Sequence, residues 1–304
     1  MRVLDSHLHL WDPSVLDYPW LEGPLLARFA ADEVVAAVGE VDDERGFVFV
    51  QADCEEGQYL DEIEWVASLA ERVGVRGIVA GARLDGGVDT ITHLDAVTQR
   101  PLVVGVRHLL QGEPAGFAGS PAFRAGAAAL VERDLTFDAC VRGEAQLRDV
   151  ILLAAEVPEL RIALDHLGKP SVGTATIPSS PALDWTVSLH ALAVHPQVFC
   201  KLSGLPAEAG GSWSAEQMET FFDVALDAFG PDRLMVGSDW PVSAITASGW
   251  NGGTGAALDA GAGAALDAGA IGAWTDAVAS WATARGIDVN AILWRNAERF
   301  YGLG

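Results

Sequence analysis

Positive charge is scarce in this sequence: 19 lysines and arginines face 42 aspartates and glutamates, for a formal net charge of −23. A surface this acidic repels a phosphate backbone, so nucleic acid is excluded as a partner. It offers no long-range attraction to anionic small molecules either, which favours a neutral substrate. No stretch reaches the roughly 18 consecutive apolar residues of a membrane helix, so no membrane partner is expected. Cysteine is nearly absent. Cys54, Cys140 and Cys200 are odd in number and lie in or beside apolar runs, which reads as buried thiols rather than disulfides. The opening residues lack the apolar core of a signal peptide. A cytoplasmic protein is the expectation. No G-x-G-x-x-G follows any apolar run, so a dinucleotide-binding fold has little support. Oligomeric state leaves no trace in the sequence.

What is abundant is apolar: half of the 304 residues are hydrophobic, ample for a large core. Eight short runs recur, at Val3–His9, Gly46–Ala52, Gly77–Leu84, Leu102–His108, Leu135–Val141, Arg161–His166, Val198–Ser203 and Arg233–Ser238. Their Val, Leu, Ile and Phe content suits strands buried on both faces. Helical periodicity separates most of them, at Gln58–Val73, Pro121–Arg133, Glu144–Glu156, Leu183–Val194 and Ala215–Phe229. Ser214 with Gln217 resembles a capping box, and Gly230-Pro231 stops that helix. Eight strands alternating with helices predict a closed parallel (β/α)8 barrel, a TIM barrel in one domain spanning 1–304. An open doubly wound sheet is the alternative. One segment, Asn251 to Gly272, is nearly all Gly, Ala, Leu and Asp and repeats GAALDAG, an insertion-like stretch with no chemistry of its own. A last helix follows at Ile271–Arg285. The stretch Ile292–Tyr301, with Trp294, Phe300 and Tyr301, is expected to close the barrel's bottom or side.

Barrel active sites gather at the C-terminal ends of the strands, and several polar residues fall there. His7-Leu8-His9 ends the first run. Period-two alternation points both imidazoles into the barrel, with Asp5 on the same face one layer down. Two hydrogen-bonded core histidines would look the same in sequence. Asp239, in Gly237-Ser238-Asp239-Trp240-Pro241, ends the eighth run, beside the first in a closed barrel; a loop aspartate capping a helix is the plainer reading. His166 ends the sixth run, and alternation turns Asp165 the other way. Arg107-His108 ends the fourth, where arginine's forked donors could hold a carbonyl or carboxylate. Lys201, in the seventh, faces either the site or a helix end. Trp11, Tyr18 and Trp20 lie in a loop after the first strand, and aromatic faces stack on sugar rings as readily as they fill a loop. His93, His190 and His195 read as structural.

The phrases DSHLHLWDP, YPWL, GVRHLLQ, LDHLGKP, CKLSGL and GSDWPV resemble the amidohydrolase-related lactonases, in particular the L-fuconolactonase-like and pyrone-dicarboxylate-lactonase-like branch. The resemblance spans Asp5 to Gly302 and implies a distorted (β/α)8 barrel that hydrolyses a cyclic ester. It carries over His7, His9 and His166 as active-site histidines, Asp239 as the acid that activates water, and the Arg107-His108 region as substrate-binding. In the wider superfamily the H-x-H pair and the strand-eight aspartate hold a divalent cation such as zinc, here His7, His9 and Asp239. The fifth run carries no histidine at its end, where that superfamily places a further ligand, and the branch includes metal-free lactonases. Both modes stay open. The resulting expectation is hydrolysis of a small sugar (aldono-)lactone, with Arg107, His108, Trp11, Trp20 and Lys201 as substrate contacts. A carboxylated pyrone would want two or more convergent arginines, for which the sequence offers Arg107 with Arg83 or Arg142, so a neutral aldonolactone is preferred. The alternatives are a zinc-dependent amidohydrolase or non-oxidative decarboxylase on the same barrel, and a sugar-binding barrel without catalysis.

Overall fold

The computed structural model describes residues 1–39, 44–210, 212–244 and 269–304. Eight parallel strands form one sheet in sequential order: β1 Arg2–Leu8, β2 Glu44–Val50, β3 Val75–Gly81, β4 Val103–Arg107, β5 Thr136–Ala139, β6 Ile162–Leu164, β7 Val198–Leu202 and β8 Leu234–Val236. The sheet curls until β8 meets β1. Asp239 N donates to His7 O at 2.8 Å and His9 N to Trp240 O at 2.9 Å, a parallel bridge just beyond the strand ends. Lower on the seam, Ser6 Oγ donates to Val236 O at 2.7 Å. The fold is a TIM-barrel-like α/β barrel, nearly closed, as the alternating pattern predicts.

Helices wrap the barrel: α1 Ala31–Val38, α2 Tyr59–Val73, α3 Val88–Val97, α4 Pro121–Val131, α5 Glu144–Glu156, α6 Leu183–Ala193, the single turn α7 Leu205–Glu208, α8 Ala215–Phe229 and α9 Ala270–Ala284. α2 illustrates the logic. Its Ile63, Val66, Ala70 and Val73 share one buried stripe, and Gly74 ends it in the left-handed conformation. At α8 only half of the capping box forms: Ser214 Oγ accepts from Gln217 N at 3.3 Å, but the Gln217 amide donates to Val172 O at 2.8 Å instead of returning to the cap. Residues 251–268, and with them the GAALDAG repeats up to their final glycine, Gly269, lie outside the described residues.

The core has two layers. The outer one lies between strands and helices. The inner one fills the lower barrel with Leu4, Val48, Val50, Val79, Ala163 and Met235. It is closed from below by a π-helical turn, Ala291–Arg295, and α10, Asn296–Tyr301, which bring Trp294, Phe300 and Tyr301 under the strands. The closing residues therefore plug the bottom. Alternation fails once in β1: Leu4 belongs to the inner layer, but Leu8 joins Val3 in the outer one. The pairing of β1 with β2 slips between Asp5 and Leu8, and that bulge reverses the phase. Asp5 consequently does not share the face of His7 and His9. Its Oδ1 accepts from His7 N at 3.0 Å and Ser238 N at 2.9 Å, clamping the seam.

Candidate active site

Four side chains converge at the top of the barrel. His7 and His9 leave β1 on the same side, their Nε2 atoms 3.1 Å apart. Asp239 Oδ1 lies 3.4 Å from His9 Nε2 and 3.8 Å from both His7 Nε2 and His166 Nε2. All four residues are buried. Two of them stand on unusual backbone: Asp239 has φ 55° and His166 φ 54°, in the left-handed region that non-glycine residues seldom adopt. Two glycines make room. A Cβ on Gly237 would sit 2.7 Å from His7 Cβ, and one on Gly204 would overlap the His166 ring at Nδ1.

The outward nitrogens settle what the inward ones can do. His9 Nδ1 is 2.8 Å from Val50 O. A carbonyl only accepts, so Nδ1 carries a proton and Nε2 is the nitrogen turned toward the site. His7 Nδ1 has two neighbours, Asp165 Oδ1 at 3.2 Å and Lys201 Nζ at 3.1 Å, an acceptor and a donor. Lys201 can serve Nδ1 while His7 Nε2 donates to His9, or Asp165 can take the Nδ1 proton while Nε2 offers its lone pair. His166 Nδ1 pairs with Ser203 Oγ at 2.9 Å. Burial drives the imidazoles of His7 and His166 well below the ordinary histidine range, so both are neutral at pH 7. Burial also opposes charge on Asp239, but His166, His9 and Ser243 outweigh it and hold that carboxyl below its usual range.

The imidazole nitrogens of His7 and His9 and a carboxylate oxygen of Asp239, all within 4.8 Å of one another, are the donor types of a zinc site, and such histidines are oriented by a carbonyl or carboxylate on the far nitrogen. Donors on a tetrahedral zinc with ~2.05 Å bonds stand about 3.3 Å apart. The separations of 3.1 and 3.4 Å match this, while those to His7 and His166 at 3.8 Å are looser. The residues fit a divalent cation held by His7, His9 and Asp239. At the end of β5, Asp138 takes another role: it binds Lys201 Nζ and accepts from Tyr301 OH.

Above these groups opens a cavity of about 530 Å³. His9, His166 and Asp239 form its floor, and Arg107 and Trp20 line its walls. Arg107 donates to Gln51 O and faces Asp165 at 3.7 Å. The other expected contacts do not reach it. Trp11 is fully buried, its indole N–H shared between Leu25 O and Ala27 O, with its ring against Trp20 and Phe29. His108 accepts from Leu84 N and donates to Glu113, in a neighbouring cleft that also holds Arg83. Lys201 is sealed beneath the floor between Asp138 and Asp165. Asp165 does not turn away, because β6 ends at Leu164 and alternation ends with it; the carboxylate comes inward against His7, Lys201 and Arg107. Lining residues that the sequence did not single out include Asp53, Gln111, Lys169 and Glu208. Of these, Lys169 lies inside LDHLGKP and Gln111 ends GVRHLLQ, whereas Asp53 and Glu208 belong to no such phrase.

The amidohydrolase family model matches residues 4–303. The chain belongs to the amidohydrolase family. Among curated relatives, this amidohydrolase is 30% identical over 273 residues to an L-fucono-1,5-lactonase of Burkholderia multivorans, covering 81% of this chain and 84% of that one. It is 29% identical over 246 residues to an L-fucono-1,5-lactonase of Burkholderia ambifaria, covering 80% and 81%. Among solved structures, it resembles a Burkholderia multivorans amidohydrolase crystallised with bound zinc, with a TM-score of 0.76, 27% identity and 100% of each chain covered.

Proposed function

We propose that this amidohydrolase opens a small neutral sugar lactone to the hydroxy acid. One observation carries the reading. Asp239 Oδ1 lies within 3.8 Å of the Nε2 atoms of His7, His9 and His166 at the floor of a cavity of about 530 Å³, a volume suited to a small molecule. The lactonase relatives supply the reaction type: hydrolysis of a cyclic ester.

Opening the ring requires a nucleophile, a donor for the carbonyl oxygen and a proton for the leaving oxygen. Asp239, ionised at neutral pH, accepts a proton from water as the water attacks the carbonyl carbon. Ser243, donating to Asp239 Oδ2 at 2.8 Å, leaves Oδ1 directed to the histidines and the water. His166 and Arg107 face the cavity as donors to the developing oxyanion. When the tetrahedral carbon collapses, the ring C–O bond breaks and the proton on Asp239 passes to the departing alkoxide. A divalent cation held by His7, His9 and Asp239 supplies Lewis-acid polarisation when bound. The free, buried thiols of Cys54, Cys140 and Cys200 agree with a reducing compartment, and no helix among the described residues is long and apolar enough to cross a membrane.

The test is acid release from a panel of aldonolactones, with and without chelator and with metal content measured. Asp239→Asn is expected to keep ligand affinity while kcat falls about 10²–10⁴-fold. Acid release from no lactone, by protein that is folded and metal-loaded, sinks the reading. Full loss with a chelator, alongside one tightly held zinc and turnover of amides or carboxylic acids instead, favours an amidohydrolase or decarboxylase.

A further inference from the structure

Six ionised side chains line the cavity: Asp53, Arg107, Arg142, Lys169, Glu208 and Asp239. Five are engaged by the protein itself. Arg142 holds Glu208 through two bonds of 3.1 and 2.9 Å. Arg107 has Gln51 O and Asp165, Lys169 donates to Gln111 Oε1, and Asp239 has Ser243 and the imidazoles. Asp53 differs. Its carboxylate has no hydrogen bond and no ion pair among the described residues, yet it is partly buried, and burial lifts its pKa while Arg107 pulls the other way.

Its position is fixed. Asp53 follows β2 with φ 59°, in the left-handed region, and its N–H donates to the Gln51 side chain. The preceding residue, Ala52, accepts the Trp20 indole N–H through its carbonyl at 2.7 Å. Indole and carboxylate thus adjoin on one wall. A partly buried carboxylate to which the protein brings no donor keeps its acceptor sites open to the cavity, and ligand hydroxyls supply what the protein does not. Two carboxylate oxygens accept two neighbouring hydroxyls, and the C–H face of a sugar ring packs on an indole. A ring bearing its own carboxylate at this wall would bring like charges together.

We propose that Asp53 is the specificity-determining residue of the site: it accepts adjacent hydroxyls of a neutral lactone packed on Trp20 and turns away rings that carry a carboxylate there. This inference rests on the lactonase reading above. Its test compares Asp53→Ala and Asp53→Asn with the parent on three substrates: a polyhydroxylated aldonolactone, an unsubstituted lactone of the same ring size, and an aldarolactone. Asp53→Ala should raise KM about ten-fold or more for the aldonolactone and change it less than about two-fold for the unsubstituted ring. Asp53→Asn should weaken the aldonolactone and improve kcat/KM for the aldarolactone. An equal KM rise with and without hydroxyls, or none, overturns the assignment. Calorimetry with the polyhydroxylated lactam, which resists hydrolysis, separates the two readings. Lactam binding that weakens about ten-fold in Asp53→Asn, in a parent that hydrolyses nothing, ends the hydrolytic reading and keeps Asp53. Unchanged lactam affinity, or a parent that binds neither ring, overturns the role of Asp53.

Discussion

The two ends of the barrel are built on opposite principles. Below, Leu4, Val48, Val50 and Met235 meet Trp294, Phe300 and Tyr301, almost all of it apolar. Above, within the same ring of strands, His7, Asp138, Asp165 and Lys201 are sealed, and His9, His166 and Asp239 are buried but for the faces they turn to the cavity. Burying the first set is favourable in itself. Burying the second is unfavourable unless each charge is matched. The lower half therefore supplies stability that the upper half uses to hold reactive groups in place.

The sharpest way to break this contrast is at the layer between the halves. Lys201 is the cation shared by Asp138 and Asp165, with Tyr301 reaching up to Asp138 from below. Lys201→Met leaves two buried carboxylates facing each other and should cost about 3–5 kcal/mol or more in denaturant unfolding, with activity falling as His7 loses a neighbour. A melt indistinguishable from the parent's would contradict that balance. Next is Phe300→Ala in the plug, expected to destabilise by about 3–4 kcal/mol while kcat of the folded fraction holds. A drop in kcat larger than the drop in folded protein would mean that the two ends are not separable.

A smaller effect comes from Glu62, buried behind the first loop, where its Oε1 accepts from Ala52 N and Tyr18 OH and its Oε2 has no hydrogen-bond partner among the described residues. Burial raises its pKa to about 7. The folded state favours the protonated acid, so this residue is harmless below the unfolded value, near 4.5, and increasingly destabilising as pH climbs towards 7. Glu62→Gln should remove up to about 3 kcal/mol of the stability lost between pH 4.5 and pH 8. Parallel pH–stability curves for parent and variant would refute the assignment.

The fold was readable because strands buried on both faces leave short continuous apolar runs in the sequence and the helices between them leave apolar stripes. The meeting of His7, His9, His166 and Asp239 was legible for a related reason: strand ends in a closed barrel have only one place to point. What escaped was whatever depended on where a strand stops or slips. Asp5 leaves the face that alternation predicts because a bulge reverses phase, and Asp165 turns inward because β6 is three residues long. Trp11 and His108 were placed at the cavity although loop packing takes them elsewhere, and Asp53 carried no pattern because a loop residue's destination is set by tertiary contacts.

Lysine is confined to two places in this chain, Lys201 under the cavity floor and Lys169 on its wall. Lys201 is sealed from solvent, whereas Lys169 keeps partial access. Amine-directed reagents thus find a side-chain target only at the mouth, so acylation or fluorescent labelling doubles as a footprint of whatever fills it, and cross-linking through amines would seize the molecule by its working end.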